Sequence, residues 1–281
     1  MAAKGISLHI GLNYVDPNHY DGWDGELNAC ESDARDMAEL AKDQGFKVQK
    51  TLIDKAATRS AVKKEISAIG KKLVSGDIFF LTYSGHGGQL PDKNGDEKDR
   101  RDETWCLWDG ELIDDELYYE YTQFAEGVRI VVLSDSCHSG SVTREAAYRN
   151  RSAGGEFKSY RNMPSAIALR TYRKNKVFYD KLLSDPKFRD SNPFSKTYNA
   201  KLKATVRLIS GCQDNQLSND GDFNGLFTGT LLEVWNNGTF KGNYAQLRRN
   251  IGVLMPPDQT PNHYLIGKHN SKFNSEQAFS I

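Results

Sequence analysis

The stretch VRIVVLSDSCHSG, residues 128–140, combines a strand with a group of reactive side chains. Its first half is rich in Val, Ile and Leu and is typical of a strand buried in a parallel sheet. Its second half places a thiol, an imidazole and small turn residues directly after that strand. Because functional side chains gather beyond the carboxyl ends of the strands in an open parallel sheet, Cys137 is a candidate nucleophile. The alternative is a buried structural cysteine, which is a common role for this residue type.

A second predicted strand ends in a similar way. DIFFLTYSGHGG, residues 77–88, is an apolar run followed by glycines and His86. If the two strands are neighbours, His86 and Cys137 meet at one edge of the sheet, where the imidazole can take the thiol proton. Gly87 lets a substrate backbone approach closely, and the N–H groups of Gly87 and Cys137 are candidate donors to the oxyanion. His138 is the rival base, but adjacent side chains diverge, so we assign it no proton transfer.

Apolar β-rich runs alternate with helical patterns through most of the chain. The other predicted strands are ISLHIGLNYV, VQKTLI, VRLISG and NHYLIG, and helical patterns lie between them. This order predicts an α/β fold with a mainly parallel sheet of about six strands and helices on both faces. TWCLWDGELI, residues 104–113, predicts a short hairpin that turns at Asp109 and Gly110.

Composition narrows the functional classes. The 281 residues include 37 basic and 37 acidic side chains, so the net charge suggests neither a nucleic acid nor an anionic membrane as partner. No apolar run approaches the roughly 20 residues of a membrane span, and the start shows no signal-peptide pattern, so we expect a cytoplasmic protein. The four cysteines are widely spaced, and we expect reduced thiols at Cys30, Cys106, Cys137 and Cys212.

Taken together, several motifs resemble those of the caspase-fold cysteine peptidases, and most closely the metacaspases. YSGHGG is followed 51 residues after its histidine by the cysteine of DSCHSG. ELNACESDARDM resembles the first-helix motif of metacaspases, and ISGCQDNQLSND the segment after their fifth strand. A QACxG-type sequence, expected of a true caspase, is missing. The resemblance implies a caspase-like three-layer sandwich in a single domain, residues 1–281, and a monomeric cysteine endopeptidase without an organic cofactor.

The same resemblance implies an acidic pocket for the substrate side chain before the cleaved bond. Its residues would be Asp33, Asp135 and Asp214, with Cys30 and Ser84 lining it. Several carboxylates in one cavity favour a cation, so we predict cleavage of proteins or peptides after Arg or Lys. Each aspartate also has an ordinary alternative, on a helix surface or in a turn.

Calcium is a further expectation that the sequence leaves open. DKNGDEKDRRDE, residues 92–103, has oxygen ligands at several EF-hand positions, but Glu97 replaces the sharp-turn glycine and no helix pair flanks the loop. The family resemblance implies instead a calcium site at Asp102, Asp114 and Asp115. Arg144 stands where a further family aspartate is expected, and a cation there would weaken the site.

Residues 144–203 form a predicted basic insertion between the fourth and fifth core strands. The segment has fifteen Lys or Arg against five Asp or Glu and little clear periodicity. The resemblance implies that it can cover the active site and be cut by the enzyme itself. The alternatives are a nucleic-acid patch in RTYRKNKVFY and a surface elaboration without a role. For the whole chain, the alternative to a peptidase is an inactive caspase-like scaffold that binds basic peptides.

Overall fold

The predicted core strands form one six-stranded sheet. The structure, a computed structural model, describes residues 2–93, 100–136, 160–188, 196–212, 219–221 and 223–281. The strands of this sheet are β1 (Gly5–Gly11), β2 (Lys47–Ile53), β3 (Ile78–Ser84), β7 (Arg129–Asp135), β8 (Thr205–Ser210) and β9 (Asn262–Gly267). Their order is β2-β1-β3-β7-β8-β9, and every neighbouring pair is parallel except β8 and β9. The prediction of a mainly parallel sheet of about six strands is therefore confirmed.

Helices cover both faces of this sheet. One face carries α2 (Arg59–Gly70) and α3 (Asp114–Tyr121), and the other carries α1 (Cys30–Asp43), α7 (Leu226–Trp235), α8 (Tyr244–Leu254) and the short α9 (Ser271–Ser275). Strand β3 supplies both cores, since Phe79 and Leu81 pack with α2 while Phe80 packs with α1 and α7. The alternation follows from the two-residue period of a strand, and it produces the three layers expected from the resemblance.

A second, antiparallel sheet lies beside the carboxyl end of β3. It consists of β4 (Gly87–Pro91), β5 (Arg101–Leu107) and β6 (Gly110–Ile113). Strands β5 and β6 form the hairpin predicted at residues 104–113. Strand β4 has no counterpart in the sequence prediction, because its glycines are typical of a turn. The pairing of Gly87 with Trp105 makes these glycines part of a sheet instead.

The described part of the basic insertion contains helices. They are α4 (Ser165–Lys174), α5 (Lys176–Leu183) and α6 (Lys196–Lys201). Their charged residues obscure the helical period, since few positions, such as Ala168 and Tyr179, are buried. The assignment of residues 1–281 to one domain with an insertion at 144–203 stays a prediction. Among the described helices, none is both long and apolar enough to cross a membrane.

Candidate active site

The carboxyl ends of β3 and β7 lie side by side. The two strands pair in parallel, with Ser84 opposite Asp135 at their last positions. His86 follows β3, so it lies at the edge of the sheet where β7 also ends. Cys137, the predicted nucleophile, falls outside the described residues, as do His138, Arg144 and Asp214. The described part of the site is therefore the histidine, the backbone around it and the acidic pocket.

His86 is buried and held by one backbone carbonyl. Its Nε2 lies 3.0 Å from the carbonyl oxygen of Gly25, which can only accept, so Nε2 carries the proton. Its Nδ1 has no hydrogen-bond partner among the described residues. Burial lowers the pKa of His86 to about 4, although the backbone contact with Gly25 opposes this. The imidazole is therefore neutral at pH 7, with Nδ1 available to accept a proton.

Aromatic side chains fix the position of His86. The ring of Trp23 packs against the imidazole with centroids 4.7 Å apart. Tyr83 stacks on Trp105 at 4.4 Å, and its hydroxyl donates to the carbonyl of His86 at 2.7 Å. The N–H of Cys106 donates to the same carbonyl at 2.9 Å. The backbone of His86 is thus tied to both sheets.

The acidic pocket is present and is filled by a side chain of the insertion. Asp33, Ser84 and Asp135, three of the predicted pocket residues, surround the guanidinium of Arg161. Arg161 contacts the carboxylates of Asp33 at 2.7 Å and Asp135 at 2.9 Å and the hydroxyl of Ser84 at 2.7 Å. A third carboxylate, that of Asp220, lies 2.9 Å from the guanidinium. The Arg161 side chain is completely buried.

The charged groups in this pocket shift the pKa values of one another. Burial alone lowers the pKa of the Arg161 guanidinium, but Asp135, Cys30, Asp33 and Asp220 together raise it well above its ordinary value. Burial raises the pKa of the Asp33 carboxyl, and Arg161 opposes that effect. Removal of the guanidinium would leave buried carboxylates without their cation, an unfavourable state that a basic ligand can relieve.

The N-terminus of α7 supports the carboxylates from the other side. The N–H of Gly225, the residue that caps α7, donates to Asp33 at 3.0 Å. The N–H and hydroxyl of Thr228 donate to Asp135 at 3.1 and 2.8 Å. Amides at the start of a helix have no partner within the helix, so they are available to these carboxylates. The positive end of the helix dipole adds to this stabilisation.

Cys30 lies buried beside the pocket. The N–H of Cys30 donates to the side-chain oxygen of Asn13 at 2.8 Å. Burial raises the pKa of its thiol, which favours the protonated form. Cys106 and Cys212 are also buried free cysteines.

The predicted calcium ligands share one end of the second sheet. Asp102 lies in β5, and Asp114 and Asp115 begin α3 directly after β6. The pairing of Thr104 with Ile113 brings these two stretches to the same end of the hairpin. However, the described residues contain no group of three or more His, Cys, Asp or Glu side chains that could hold a metal ion.

The aromatic side chains of RTYRKNKVFY pack against the chain itself. Tyr179 is buried and its hydroxyl lies 2.7 Å from Nε2 of His19. Tyr172 donates to Asp180 at 2.6 Å, and Arg170 pairs with Asp21 at 3.0 Å. These contacts favour an anchoring role over the stacking surface that a nucleic-acid patch requires.

Four residues of the site were not found from the sequence. They are Gly25, Arg161, Asp220 and Gly225. Gly25 contributes its backbone carbonyl, and Gly225 contributes its N–H and the space that a side chain would fill. Neither role leaves a recognisable pattern in the local sequence. Asp220 closes the segment ISGCQDNQLSND, in which the family resemblance implies Asp214 as the pocket residue. Arg161 is one of many cations in a segment without clear periodicity.

The chain is similar to proteins of one family. A caspase domain family model matches residues 14–275. Metacaspase-1 of Schizosaccharomyces pombe is 29% identical over 284 residues, which cover 90% of this chain and 64% of that protein. Metacaspase-1A of Neurospora crassa is 37% identical over 150 residues, which cover 48% of this chain and 32% of that protein. The chain thus spans less than two thirds of the length of these curated relatives.

Two solved structures share the fold. The crystal structure of a Geobacter sulfurreducens protein is 52% identical, has a TM-score of 0.87 and covers 99% of both chains. Caspase-1 from Spodoptera frugiperda is 12% identical with a TM-score of 0.53, over 94% of this chain and 86% of that one. Because only 12% of the residues are identical, the similarity to this caspase shows a common fold and nothing more.

Proposed function

The chain belongs to the caspase domain family, and we propose from this premise that it is a cysteine endopeptidase that cleaves after Arg or Lys. The observation that carries the specificity is the guanidinium of Arg161 among the carboxylates of Asp33, Asp135 and Asp220. A pocket that holds one guanidinium of the chain can hold that of a substrate in the same way. The metacaspase relatives support proteins as the substrate class.

In the proposed mechanism, His86 and Cys137 act as a pair. Nδ1 of His86 takes the thiol proton, and the thiolate of Cys137 attacks the carbonyl carbon after the basic residue. The N–H groups of Gly87 and Cys137 stabilise the oxyanion. The C–N bond then breaks, the leaving amine takes the proton from His86, and water hydrolyses the thioester. The neutral, carbonyl-bound imidazole of His86 supports its role as the first proton acceptor.

The geometry favours Arg over Lys. One terminal nitrogen of Arg161 contacts Asp135 and Ser84, and the other contacts Asp33 and Asp220. A lysine ammonium is a single point charge and cannot meet both sides of the pocket at once.

The test is hydrolysis of matched fluorogenic peptides that end in Arg, Lys or Asp. We expect kcat/KM to fall in that order and activity to disappear in Cys137→Ala. Asp220→Asn removes one pocket carboxylate and should lower kcat/KM for the Arg peptide about tenfold, the scale of one charged hydrogen bond. Asp258→Asn, at an exposed aspartate, is the matched control. Preference for Asp would refute the pocket assignment.

Calcium stimulation is a separate part of the proposal. Its support is that Asp102, Asp114 and Asp115 lie at the same end of the β5–β6 hairpin. The described residues contain no group of three or more His, Cys, Asp or Glu side chains arranged to hold a metal ion. Hydrolysis of the Arg peptide with calcium or with a chelator tests it. Equal rates would remove calcium from the function without affecting the peptidase proposal.

The proposal also includes self-processing within residues 144–203, a cytoplasmic location and a monomeric state. Gel filtration of Cys137→Ala tests the last of these. An inactive scaffold that binds basic peptides is the second candidate, because the acidic pocket would hold a guanidinium with or without a reactive thiol. Alkylation of the Arg161→Gln protein by iodoacetamide separates the two. A reactive thiol is modified at Cys137 and protected by an Arg peptide, whereas an inert one is not modified.

A further inference from the structure

A cavity of about 370 Å³ lies between α3 and the end of the basic insertion, and it has no part in the proposed reaction. Its lining combines lysines with hydroxyl and amide side chains: Tyr119, Thr122, Gln123, Lys187, Tyr198, Lys201 and Lys203. The volume falls at the lower end of the roughly 300–1,000 Å³ that small-molecule sites occupy.

This cavity lies at the edge of the sheet opposite to His86. Lys203 stands two residues before Thr205, the first residue of β8, and Thr205 pairs with Arg129, the first residue of β7. His86 lies instead beyond the last residue of β3. At about 3.3 Å per residue, the length of β8 separates the two edges by roughly 20 Å. A ligand in the cavity would therefore not compete with a substrate for the acidic pocket.

The lining of the cavity is cationic. Lys187, Lys201 and Lys203 are exposed lysines, and no lining residue is Asp or Glu. None of the ion pairs between described residues involves Lys187 or Lys203. The side chain of Asp185 accepts from the backbone N–H of Lys187 at 3.0 Å. Like charges around one cavity repel one another, and an anion between them removes that repulsion.

The acidic residues of α3 near the cavity do not reverse its charge. Glu120 interacts with Lys63 and Lys71, which belong to α2 and its C-terminal cap. Burial raises the pKa of the Tyr198 hydroxyl, and Asp115 adds to this effect, so one carboxylate acts on the lining. One carboxylate beside three ammonium groups leaves a net positive charge.

Aromatic contacts hold the walls of the cavity in place. Tyr198 is buried, and its hydroxyl donates to the carbonyl of Tyr118 at 3.0 Å. The ring of Tyr119 packs edge-on against Phe188, the residue after Lys187, with centroids 5.7 Å apart. The segments that carry the lysines are therefore docked on α3 by their own aromatic neighbours.

The side-chain types favour phosphoryl groups as the ligand. Lysine is a point charge and lacks the planar fork with which arginine binds a carboxylate in two places. The hydroxyl of Tyr119 can donate to a phosphate oxygen, and so can the second amide hydrogen of Gln123, whose Nε2 already donates to Thr122 at 2.9 Å. One phosphoryl group carries a charge of about −1.5 to −2, so two or three linked groups match three lysines better than one does.

We propose that this cavity binds a small polyphosphate, either free or as the phosphate chain of a nucleotide, and that the ligand fastens the basic insertion to the core. Lys187, Lys201 and Lys203 come from the insertion, whereas Tyr119 and Gln123 belong to α3 and the turn after it. An anion held by both groups stabilises their contact. The proposal goes beyond the peptidase function and does not depend on it.

The first measurement is calorimetric titration of full-length Cys137→Ala in a buffer without phosphate. Tripolyphosphate should bind at one site with a Kd at least about tenfold lower than that of inorganic phosphate, because each further phosphoryl group meets another lysine. Pyrophosphate should lie between the two. Equal affinity for tripolyphosphate and inorganic phosphate, or no binding of tripolyphosphate, would overturn the proposal.

Lysine variants assign the binding to the cavity. Lys187→Gln, Lys201→Gln and Lys203→Gln should each raise the Kd for tripolyphosphate about fivefold, the upper end for one solvent-exposed ion pair. The triple variant should not bind. The matched control removes the same charge at three exposed lysines outside the cavity, Lys42→Gln, Lys64→Gln and Lys181→Gln. An equal loss in the two triple variants would show an effect of net charge alone and would overturn the site.

Thermal unfolding separates a ligand site from a structural role of the lysines. Tripolyphosphate at about one hundred times its Kd should raise the Tm of Cys137→Ala and of the control triple variant, but not that of the cavity triple variant. Without tripolyphosphate, the cavity triple variant should unfold no earlier than the control, because it loses repulsion between like charges. A lower Tm in that comparison would assign the lysines to the fold and overturn the proposal.

The last measurement distinguishes the sources of the phosphate chain. If ATP binds more tightly than tripolyphosphate and the Lys201→Gln variant loses both, the ligand is a nucleotide, and equal affinities indicate the phosphate chain alone. Both results support the cavity as a polyphosphate site. Displacement of tripolyphosphate by single-stranded DNA, with an affinity that increases with the length of the DNA, would show a nucleic-acid surface and would overturn the small ligand.

Discussion

At the scale of single residues, the pocket contains three carboxyl groups around one guanidinium. Asp33, Asp135 and Asp220 exceed the charge of Arg161, and neutral donors complete their hydrogen bonds. The side-chain amide of Asn224 donates to Asp33 at 3.0 Å, for example. A buried acidic cluster of this kind depends on its cation, and the proposed preference for a basic ligand rests on the cost of leaving these carboxylates unpaired.

Burial sets the pKa of the His86 imidazole. In the proposed mechanism the imidazole accepts a proton from the thiol only when it is neutral, and burial lowers its pKa to about 4. Activity should therefore fall as the pH decreases toward that value and not near the ordinary 6.5 of an exposed histidine. The carbonyl of Gly25 and the ring of Trp23 are the contacts that define this environment.

Trp23→Ala tests this environment. Loss of the ring exposes His86 to water, which stabilises its charged form and raises its pKa. The acidic midpoint of the kcat/KM profile should shift upward, toward 6.5. Trp108→Ala is the control, because that ring lies beside Lys55 at 5.5 Å. An unchanged midpoint in Trp23→Ala would contradict the assigned cause.

At the scale of elements, the start of α7 shapes the pocket. Its cap residue, Gly225, donates its N–H to Asp33 and leaves room for the guanidinium that a side chain would occupy. Its φ of −60° is ordinary for any residue, so the requirement for glycine is one of space and not of backbone strain.

Gly225→Ala should therefore act on specificity. The added methyl displaces the guanidinium from Asp33 and Asp220, and kcat/KM for the Arg peptide should fall at least about tenfold, mainly through KM. Gly229→Ala is a matched control in the same helix, because its Cβ would meet only Asn224, at an ordinary 3.5 Å. That substitution should keep activity and stabilise α7 by about 0.5–1 kcal/mol, measured by urea unfolding. Equal kinetics for the two variants would contradict the steric account.

At the scale of the whole molecule, the self-processing proposed within residues 144–203 would interrupt the chain between two paired strands of a continuous sheet. Strands β1 to β7 precede residues 144–203, and β8 and β9 follow them. Strand β8 pairs in parallel with β7 along six residues, and α7 and α8 pack on the core that β3 and β7 share. The two fragments bury this surface together, so covalent continuity is not needed to hold them.

The processed protein should elute from gel filtration at the volume of uncut Cys137→Ala. Separation should require urea at concentrations that also unfold the sheet, because the apolar contacts of β8 belong to the common core. Two peaks in buffer without denaturant would show that the fragments part after cleavage and would contradict this view of the core.

The sequence by itself determined the class of fold and the positions of the six core strands. Strands such as β3 and β7 are short apolar runs between turn residues, and that pattern is local. The position of His86 after β3 follows from the same pattern. Strand β4 escaped prediction because a glycine pair has no strand signal without its partner β5.

Only the tertiary structure decided which cation fills the pocket. Arg161 and Asp33 are 128 residues apart, and Asp220 lies a further 59 residues beyond Arg161. Ion pairs over such separations leave no periodic trace, and the fifteen cations of residues 144–203 are equivalent in the sequence. Folding distinguishes one of them, because burying a guanidinium is favourable only where carboxylates and helix amides already meet.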